Sequence, residues 1–312
     1  MNNNPLLSVC IPIYNRKEYL RKSLERFLLE KELFQNKVQL YISDNCSEDD
    51  LETICREYEK RGLSLEYHRN SENLNMDGNF ANCFRQAKGK YILLLGSDDT
   101  PCPHFFQEIL PVLEENNLGL LHLSSKHEKL KELTLYDDSD SFLIDVNYWI
   151  TFISGNIVAA QFVENVPLDN YKGTFFTQVP VYLEAACNNK KNAILSGCFY
   201  EKENDGANNG GYNLFQVFVM NLYGIFESFI ARGLLSNGAF EIIKKIEFKE
   251  FLAGWIVRIL MLRSNKNFKS EGSWQILWNY YGHKPYAYFY TFYMLVRSVI
   301  VEILKPFINK IR

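Results

Sequence analysis

Residues 89–99, GKYILLLGSDD, constrain this chain more than any other stretch. Gly89 leads into an unbroken apolar run, Tyr91-Ile92-Leu93-Leu94-Leu95, that stops at Gly96-Ser97-Asp98-Asp99. A short apolar run bounded by turn residues is the pattern of a strand buried on both faces of a parallel sheet. Ligands of open α/β sheets collect beyond the carboxyl ends of the strands. Asp98 and Asp99 are therefore placed to hold a divalent cation against phosphate oxygens. The competing role for Asp98 is to cap the helix suggested by Pro101, Pro103 and the apolar pattern of residues 105–113.

The preceding chain repeats this arrangement. Residues 6–12 form an apolar run closed by Pro12, and Tyr19, Leu20, Leu24, Phe27 and Leu28 then recur at helical spacing. Residues 38–43 predict a second strand ending at Asp44-Asn45. Ser47, with Asp50 three residues on, predicts a capped helix whose apolar face is Leu51, Ile54, Cys55 and Tyr58. A third strand is expected over residues 63–68, a loop over 70–79 and a short helix over 80–87. Alternating strands and helices with short links imply a parallel sheet with crossover helices. Tyr14-Asn15, Asp44-Asn45 and Asp98-Asp99 then fall on one rim.

The succession SVCIPIYNR, ISDNCSED, ENLNMDGN and AKGKYILLLGSDD resembles the family 2 glycosyltransferases of the GT-A fold over roughly residues 6–110. More loosely, FISGN, YKGTFF and NNGGYNLFQVF resemble a bacterial subgroup that builds surface polysaccharides. The resemblance implies a Rossmann-like, mostly parallel sheet flanked by helices and a nucleotide-sugar site. Pro12, Tyr14 and Asn15 match the motif that packs against base and ribose. Asp44 matches the carboxylate that bonds the base, usually uracil. Asn73 and Asn79 match the polar loop near base and diphosphate, Ser97 lies in the metal corner, and Asp98 matches its metal-binding aspartate, with Asp99 beside it. Mn²⁺ or Mg²⁺ is the implied cofactor. Where the family commonly writes Asp-X-Asp-Asp, this chain begins with Gly96, which removes a ribose contact.

An inverting transfer needs a base for the acceptor hydroxyl while a metal stabilises the departing diphosphate. Many relatives supply it from a Glu-Asp pair that here reads Thr177-Gln178, and glutamine cannot act as a base. Glu184 and Asp169 are the candidate replacements, with residues 201–205 a third source in a loop that Gly206, Gly210 and Gly211 would let close as a lid. Gln178 would then only orient the acceptor. Asp137, Asp138 and Asp140 are expected in a solvated loop, residues 125–131 in a loop or edge, residues 146–152 in a helix or strand, and Ser154-Gly155-Asn156 in a turn open to the sugar.

From residue 212 the pattern changes to helices, over residues 212–235, 242–262, 274–281 and 286–304, the last broken by Pro306. The expected organisation is a GT-A catalytic domain over residues 1–208 and a helical region over 209–312 serving a membrane interface or oligomerisation. Residues 285–296 carry no charge and contain four tyrosines and two phenylalanines. Four Lys or Arg and one Glu follow between 297 and 312. That combination suits a helix at a membrane interface, and a core or dimer-forming bundle is the alternative.

A net charge of −3 gives no general attraction for nucleic acid. Seven cysteines without CxxC spacing, and no basic and apolar leader, suggest a reducing cytosol. The expected protein is a cytoplasmic enzyme at the inner face of the membrane. It would move a sugar from a nucleoside diphosphate donor, with UDP expected, to a glycan or lipid-linked glycan acceptor. The alternative is a catalytically inactive nucleotide-sugar-binding or assembly protein. No GxGxxG follows the first strand, which argues against a dinucleotide oxidoreductase.

Overall fold

The computed structural model describes residues 4–125, 132–201 and 210–308. The chain divides into two compact units, Met1–Asn204 and Asp205–Arg312. The first is a three-layer α/β unit and the second is helical.

In chain order the first unit contains β1 (Leu7–Ile13), α1 (Lys17–Phe34), β2 (Val38–Asp44), α2 (Leu51–Lys60), β3 (Glu66–Arg69), α3 (Asn75–Gln86), β4 (Tyr91–Leu94) and α4 (Phe105–Glu115). Then follow β5 (Leu120–Ser124), β6 (Glu132–Tyr136), α5 (Ser139–Val146), β7 (Asn156–Ala159), α6 (Val179–Asn188) and β8 (Asn192–Ser196). The strands form one sheet in the order β3-β2-β1-β4-β7-β5-β8-β6. The first four are parallel, while β7 is antiparallel to both neighbours and β6 is antiparallel to β8. The expected parallel sheet is thus complete where the strand–helix alternation is regular and becomes mixed beyond β4.

The central strands are buried along their whole length, as their continuous apolar runs require. Gly89 is needed where β4 begins, because a Cβ there would lie 2.6 Å from Ser8 N. The Ser8 hydroxyl instead accepts from the Gly89 amide at 2.8 Å. Phe27 and Phe34 of α1 meet Phe106 of α4 at ring distances of 5.4 and 4.4 Å. Between them the buried Glu30 carboxylate accepts from the Phe105 and Phe106 amides, capping α4 from a neighbouring helix. Asp98 therefore does not cap α4.

Several local expectations change. Asp50, not Ser47, caps α2, accepting from the Thr53 amide at 3.0 Å. The Ser47 hydroxyl is occupied by the Asn15 amide. Helix α3 begins at Asn75, shortening the expected loop, because Asn45 and Asn73 take the amides of Leu74 and Asn75. Asp138 caps α5 through the Ser141 amide rather than lying in a free loop, and that bond holds its carboxyl below the usual value. Residues 147–151 form a 3₁₀ turn. The expected loop over residues 126–131 lies outside the described residues.

The second unit comprises α7 (Leu222–Ala231), α8 (Asn237–Glu247), α9 (Ala253–Trp255), α10 (Ser273–Tyr281) and α11 (Pro285–Ile308). Wider π-helical turns precede α7 and flank α9. Pro306 does not end the last helix, which continues to Ile308. Its core holds a polar cluster: Tyr223 donates to the fully buried Glu247 at 2.7 Å and also meets the Tyr281 hydroxyl.

Candidate functional site

Strand β1 pairs in parallel with β2 on one side and β4 on the other, with Ile13 opposite Asp44 and Cys10 opposite Leu94. The three carboxyl ends therefore lie side by side, and the sheet order reverses at β1. This is the topological position where α/β sheets open a crevice. A cleft of about 440 Å³ opens there, lined by Pro12, Tyr14, Arg16, Asn45, Asn73, Asn75, Met76, Asn79, Ser97 and Asp98 among others. Its size suits a nucleotide-sized ligand.

Of the residues singled out from sequence, Pro12, Tyr14, Asn73, Asn79, Ser97 and Asp98 line this cleft. Tyr14 is 42 % exposed, so its ring is available to a flat ligand. Asp98 is ion-paired with Arg16, Nη1 to Oδ2 2.7 Å. Both side chains are partly exposed, so the pair itself contributes no more than about 1 kcal/mol.

The other candidates support the rim. Asn15 adopts a left-handed φ of 53° and its Oδ1 accepts from the Glu48 amide at 2.7 Å, fastening the β1–α1 loop to the β2–α2 loop. Asp44 is fully buried. Its oxygens accept from the Ser47 amide, the Tyr67 hydroxyl at 2.6 Å and Arg69 at 3.1 Å. Burial and that carboxylate push the Tyr67 phenol well up. Asn45, one residue on, faces the cleft instead. Asn79 receives the Ser43 hydroxyl and the Asn70 amide group, joining Asn45, Asn70, Asn73 and Asn82 in one side-chain network.

Asp99 turns away from its neighbour. The Ser154 hydroxyl donates to Asp99 Oδ2 at 2.5 Å and accepts from the Gly96 amide at 2.8 Å. A Cβ at position 96 would lie 2.5 Å from that same Asp99 oxygen. The glycine at position 96 is thus what admits the Asp99–Ser154 contact. Ser154 is fully buried, so the expected turn open to a sugar is instead a brace beneath the loop.

Neither candidate base lines the cleft. Asp169 pairs with Arg85 in the last turn of α3 at 2.9 Å and with Lys172 at 2.7 Å. Lys172 and Arg85 hold its carboxyl below the usual value. Asp169 borders a separate hollow with Lys88 and Gly89, at the amino end of β4. Glu184 is buried within α6 and receives Asn188 Nδ2 at 2.9 Å. Gln178 is also buried, donating to Thr151 O at 3.2 Å. Glu201 pairs with Arg26, and residues 202–209, which hold the rest of the expected 201–205 loop and Gly206 of its lid, lie outside the described residues.

Sequence reasoning did not single out Arg16, although it directly follows Tyr14-Asn15. It also passed over Asp77, whose buried carboxylate accepts from the amides of Gly173 and Phe175 at 2.8 and 3.0 Å. The signal for Asp77 was an acidic residue in a first helical turn.

Residues 8–152 match the model described as "Glycosyl transferase family 2". The N-terminal unit belongs to glycosyl transferase family 2. Abequosyltransferase RfbV of Salmonella typhimurium is 40 % identical over 95 residues, 30 % of this chain and 28 % of RfbV. The minor teichoic acid biosynthesis protein GgaB of Bacillus subtilis is 28 % identical over 109 residues, 35 % of this chain and 12 % of GgaB. The chain thus aligns with less than a third of either relative's length.

Among solved structures, S. aureus TarS superposes with a TM-score of 0.61 at 18 % identity, covering 89 % of this chain and 49 % of TarS. A TarS fragment has been solved with UDP-GlcNAc. The mannosyltransferase PcManGT from Pyrobaculum calidifontis, solved with GDP-Man and Mn²⁺, superposes at 0.58 with 12 % identity, over 97 % of this chain and 88 % of PcManGT. At these identities the likeness establishes the fold, and the GT-A architecture expected from sequence is the architecture found.

Proposed function

We propose that the chain is a glycosyltransferase that transfers a sugar from a nucleoside diphosphate donor, UDP-linked in the first instance, to a bacterial surface-glycan acceptor with inversion at the anomeric carbon. The observation that carries the reading is the convergence of Tyr14, Asn73, Ser97 and Asp98 on one cleft where β1, β2 and β4 end. The donor's base would lie against Tyr14 and the asparagine side, and its diphosphate against Ser97, Asp98 and Arg16. Relatives named for abequosyl transfer and teichoic acid synthesis support a bacterial glycan as acceptor. Seven cysteines, all in the thiol form, fit a reducing cytoplasmic location.

The cleft fits a hard divalent ion. Asp98, the one carboxylate lining it among the described residues, is half-exposed, and Mg²⁺-like ions are held by one or two carboxylates together with substrate phosphates. Such an ion, when bound, supplies charge to the leaving diphosphate. Asp98 would hold it, with Asp99 kept behind by Ser154. Arg16 neutralises Asp98 otherwise and, lining the same cleft, would pair with the diphosphate.

The placement of Glu184 and Asp169 away from the cleft favours one second reading, a protein that binds a nucleotide sugar without turning it over. A thermal-shift screen of nucleotide sugars with and without Mn²⁺, followed by assay of nucleoside diphosphate release, separates the two. The transferase reading predicts a donor-specific rise in Tm and a release rate lost in Asp98→Ala. A donor-specific rise with no release supports the binding protein, and no rise with any donor contradicts both.

A further inference from the structure

Helix α11 presents an unusual surface. Its segment Pro285–Leu304 has a mean hydropathy of 1.4, yet almost none of it is covered by the rest of the protein. Phe289 and Phe292 are 65 and 67 % exposed, and Tyr288, Tyr293, Val299, Ile300, Val301 and Ile303 are exposed beside them. The apolar residues lie all round the helix, and a helix of that kind is stable only when something apolar surrounds it. Trp274 and Trp278 of α10, each 58 % exposed, extend the same surface. Between α10 and α11 is a hollow of about 280 Å³, bordered by these tryptophans, Tyr288, Phe292, Met261 and Leu295.

Charge distinguishes the occupants. The whole chain carries −3, but residues 205–312 contain 13 Lys and Arg against 7 Asp and Glu, a charge of +6, and residues 1–204 carry −9. Burial also pushes the Glu247 carboxyl up to about 8, so one of those seven acids is largely neutral at pH 7. Lys245, Lys249, Arg258, Arg263, Lys266 and Lys269 are all exposed on this unit. A second copy would bring like charge against like charge, whereas an anionic surface is attracted to both the cations and the rings.

We propose that the α10–α11 face docks onto an anionic lipid bilayer, with α11 embedded in the interface and the hollow between the helices receiving an acyl chain. The helix is about 36 Å long at 1.5 Å per residue, enough to span a bilayer. Two features place it in the interface instead. Arg297 and Glu302 interrupt its apolar segment, and its first half is anchored on its own unit through the buried Ala287 and the approach of Met294 to Gly254. Tyrosine and tryptophan rings suit headgroup depth, and the cations meet the lipid phosphates.

The test is sedimentation of the full chain with vesicles of phosphatidylcholine alone and of phosphatidylcholine with 30 % phosphatidylglycerol. The expected result is binding to the anionic vesicles, weakened by 0.5 M salt, removed by alkaline carbonate and reduced at least tenfold in F289E/F292E. Both positions are exposed, so the circular dichroism spectrum and Tm should stay near wild type. Leu29→Glu, at a 71 % exposed leucine of the first unit, should bind as wild type does. Equal binding by F289E/F292E, no binding to anionic vesicles, or a lipid-free dimer broken by the same variant would each overturn the docking proposal. Carbonate-resistant binding would overturn the interfacial placement in favour of a spanning helix. The assay involves no sugar donor, so its outcome is independent of the transferase reading.

Discussion

Arg16 Nη1 lies 2.7 Å from Asp98 Oδ2 at the mouth of the cleft. The strongest candidate metal ligand of the chain is therefore held by an internal cation before any ligand arrives. A divalent ion must compete with the guanidinium for that oxygen, while a diphosphate brings its own charge and gives Arg16 an alternative partner.

From this competition follows an effect opposite in sign for the two ligands. Arg16→Gln should raise Mn²⁺ affinity in the absence of nucleotide several-fold, measured by electron paramagnetic resonance of free Mn²⁺. It should lower nucleoside diphosphate affinity by roughly tenfold, the loss of one charge-assisted contact. Unchanged Mn²⁺ affinity would show that the ion pair does not guard Asp98.

Gly96 and Asp99 supply a second test. Gly96→Ala places a methyl group 2.5 Å from Asp99 Oδ2, which must leave Ser154. The expected cost is about 2 kcal/mol in denaturant unfolding. The double variant G96A/D99A should be less destabilised than the sum of the single variants, because removing the carboxylate removes the clash. Strict additivity would rule out the contact as the reason for glycine at this position.

Glu247 predicts a pH dependence in the second unit. Burial raises its folded-state value from the usual 4.5 to about 8. Between those values the folded form binds more protons than the unfolded form. Stability from this group is therefore fully present below the unfolded value and is lost as pH rises through about 8. Glu247→Gln keeps an acceptor for the Tyr223 hydroxyl and removes the titration. Its Tm should exceed that of wild type by several degrees at pH 8.5, with the gap narrowing towards pH 5. A constant gap across this range would assign the effect to packing.

How much of this was legible beforehand depends on whether a residue's role is local. The buried runs of β1, β2 and β4 and the i, i+3, i+4, i+7 face of α2 follow from short-range patterning, and the structure contains them as read. The roles of Asp44, Asn79 and Asp99 do not, because each carboxylate or amide is engaged by a partner on another element, and the burial of Glu184 depends on how α6 packs. Asp44 ends β2 as anticipated, but only Tyr67 and Arg69 on β3 reveal that its oxygens are taken. Glu184 follows an aromatic-apolar pair in the sequence, and only the folded helix shows it buried beside Asn188. Similarly, α3 starts early because Asn45, 30 residues before Asn75, helps secure its first turn.

The central claim is that the tips of β1, β2 and β4 form a single nucleotide-sugar site with Asp98 at its diphosphate end. The most direct measurement is a crystal structure of the full chain grown with UDP and Mn²⁺. The account predicts the uridine against Tyr14 and the diphosphate, with its ion, beside Asp98. Nucleotide density elsewhere, such as the hollow beside Asp169 and Arg85, with the β1–β4 cleft holding none, would contradict it.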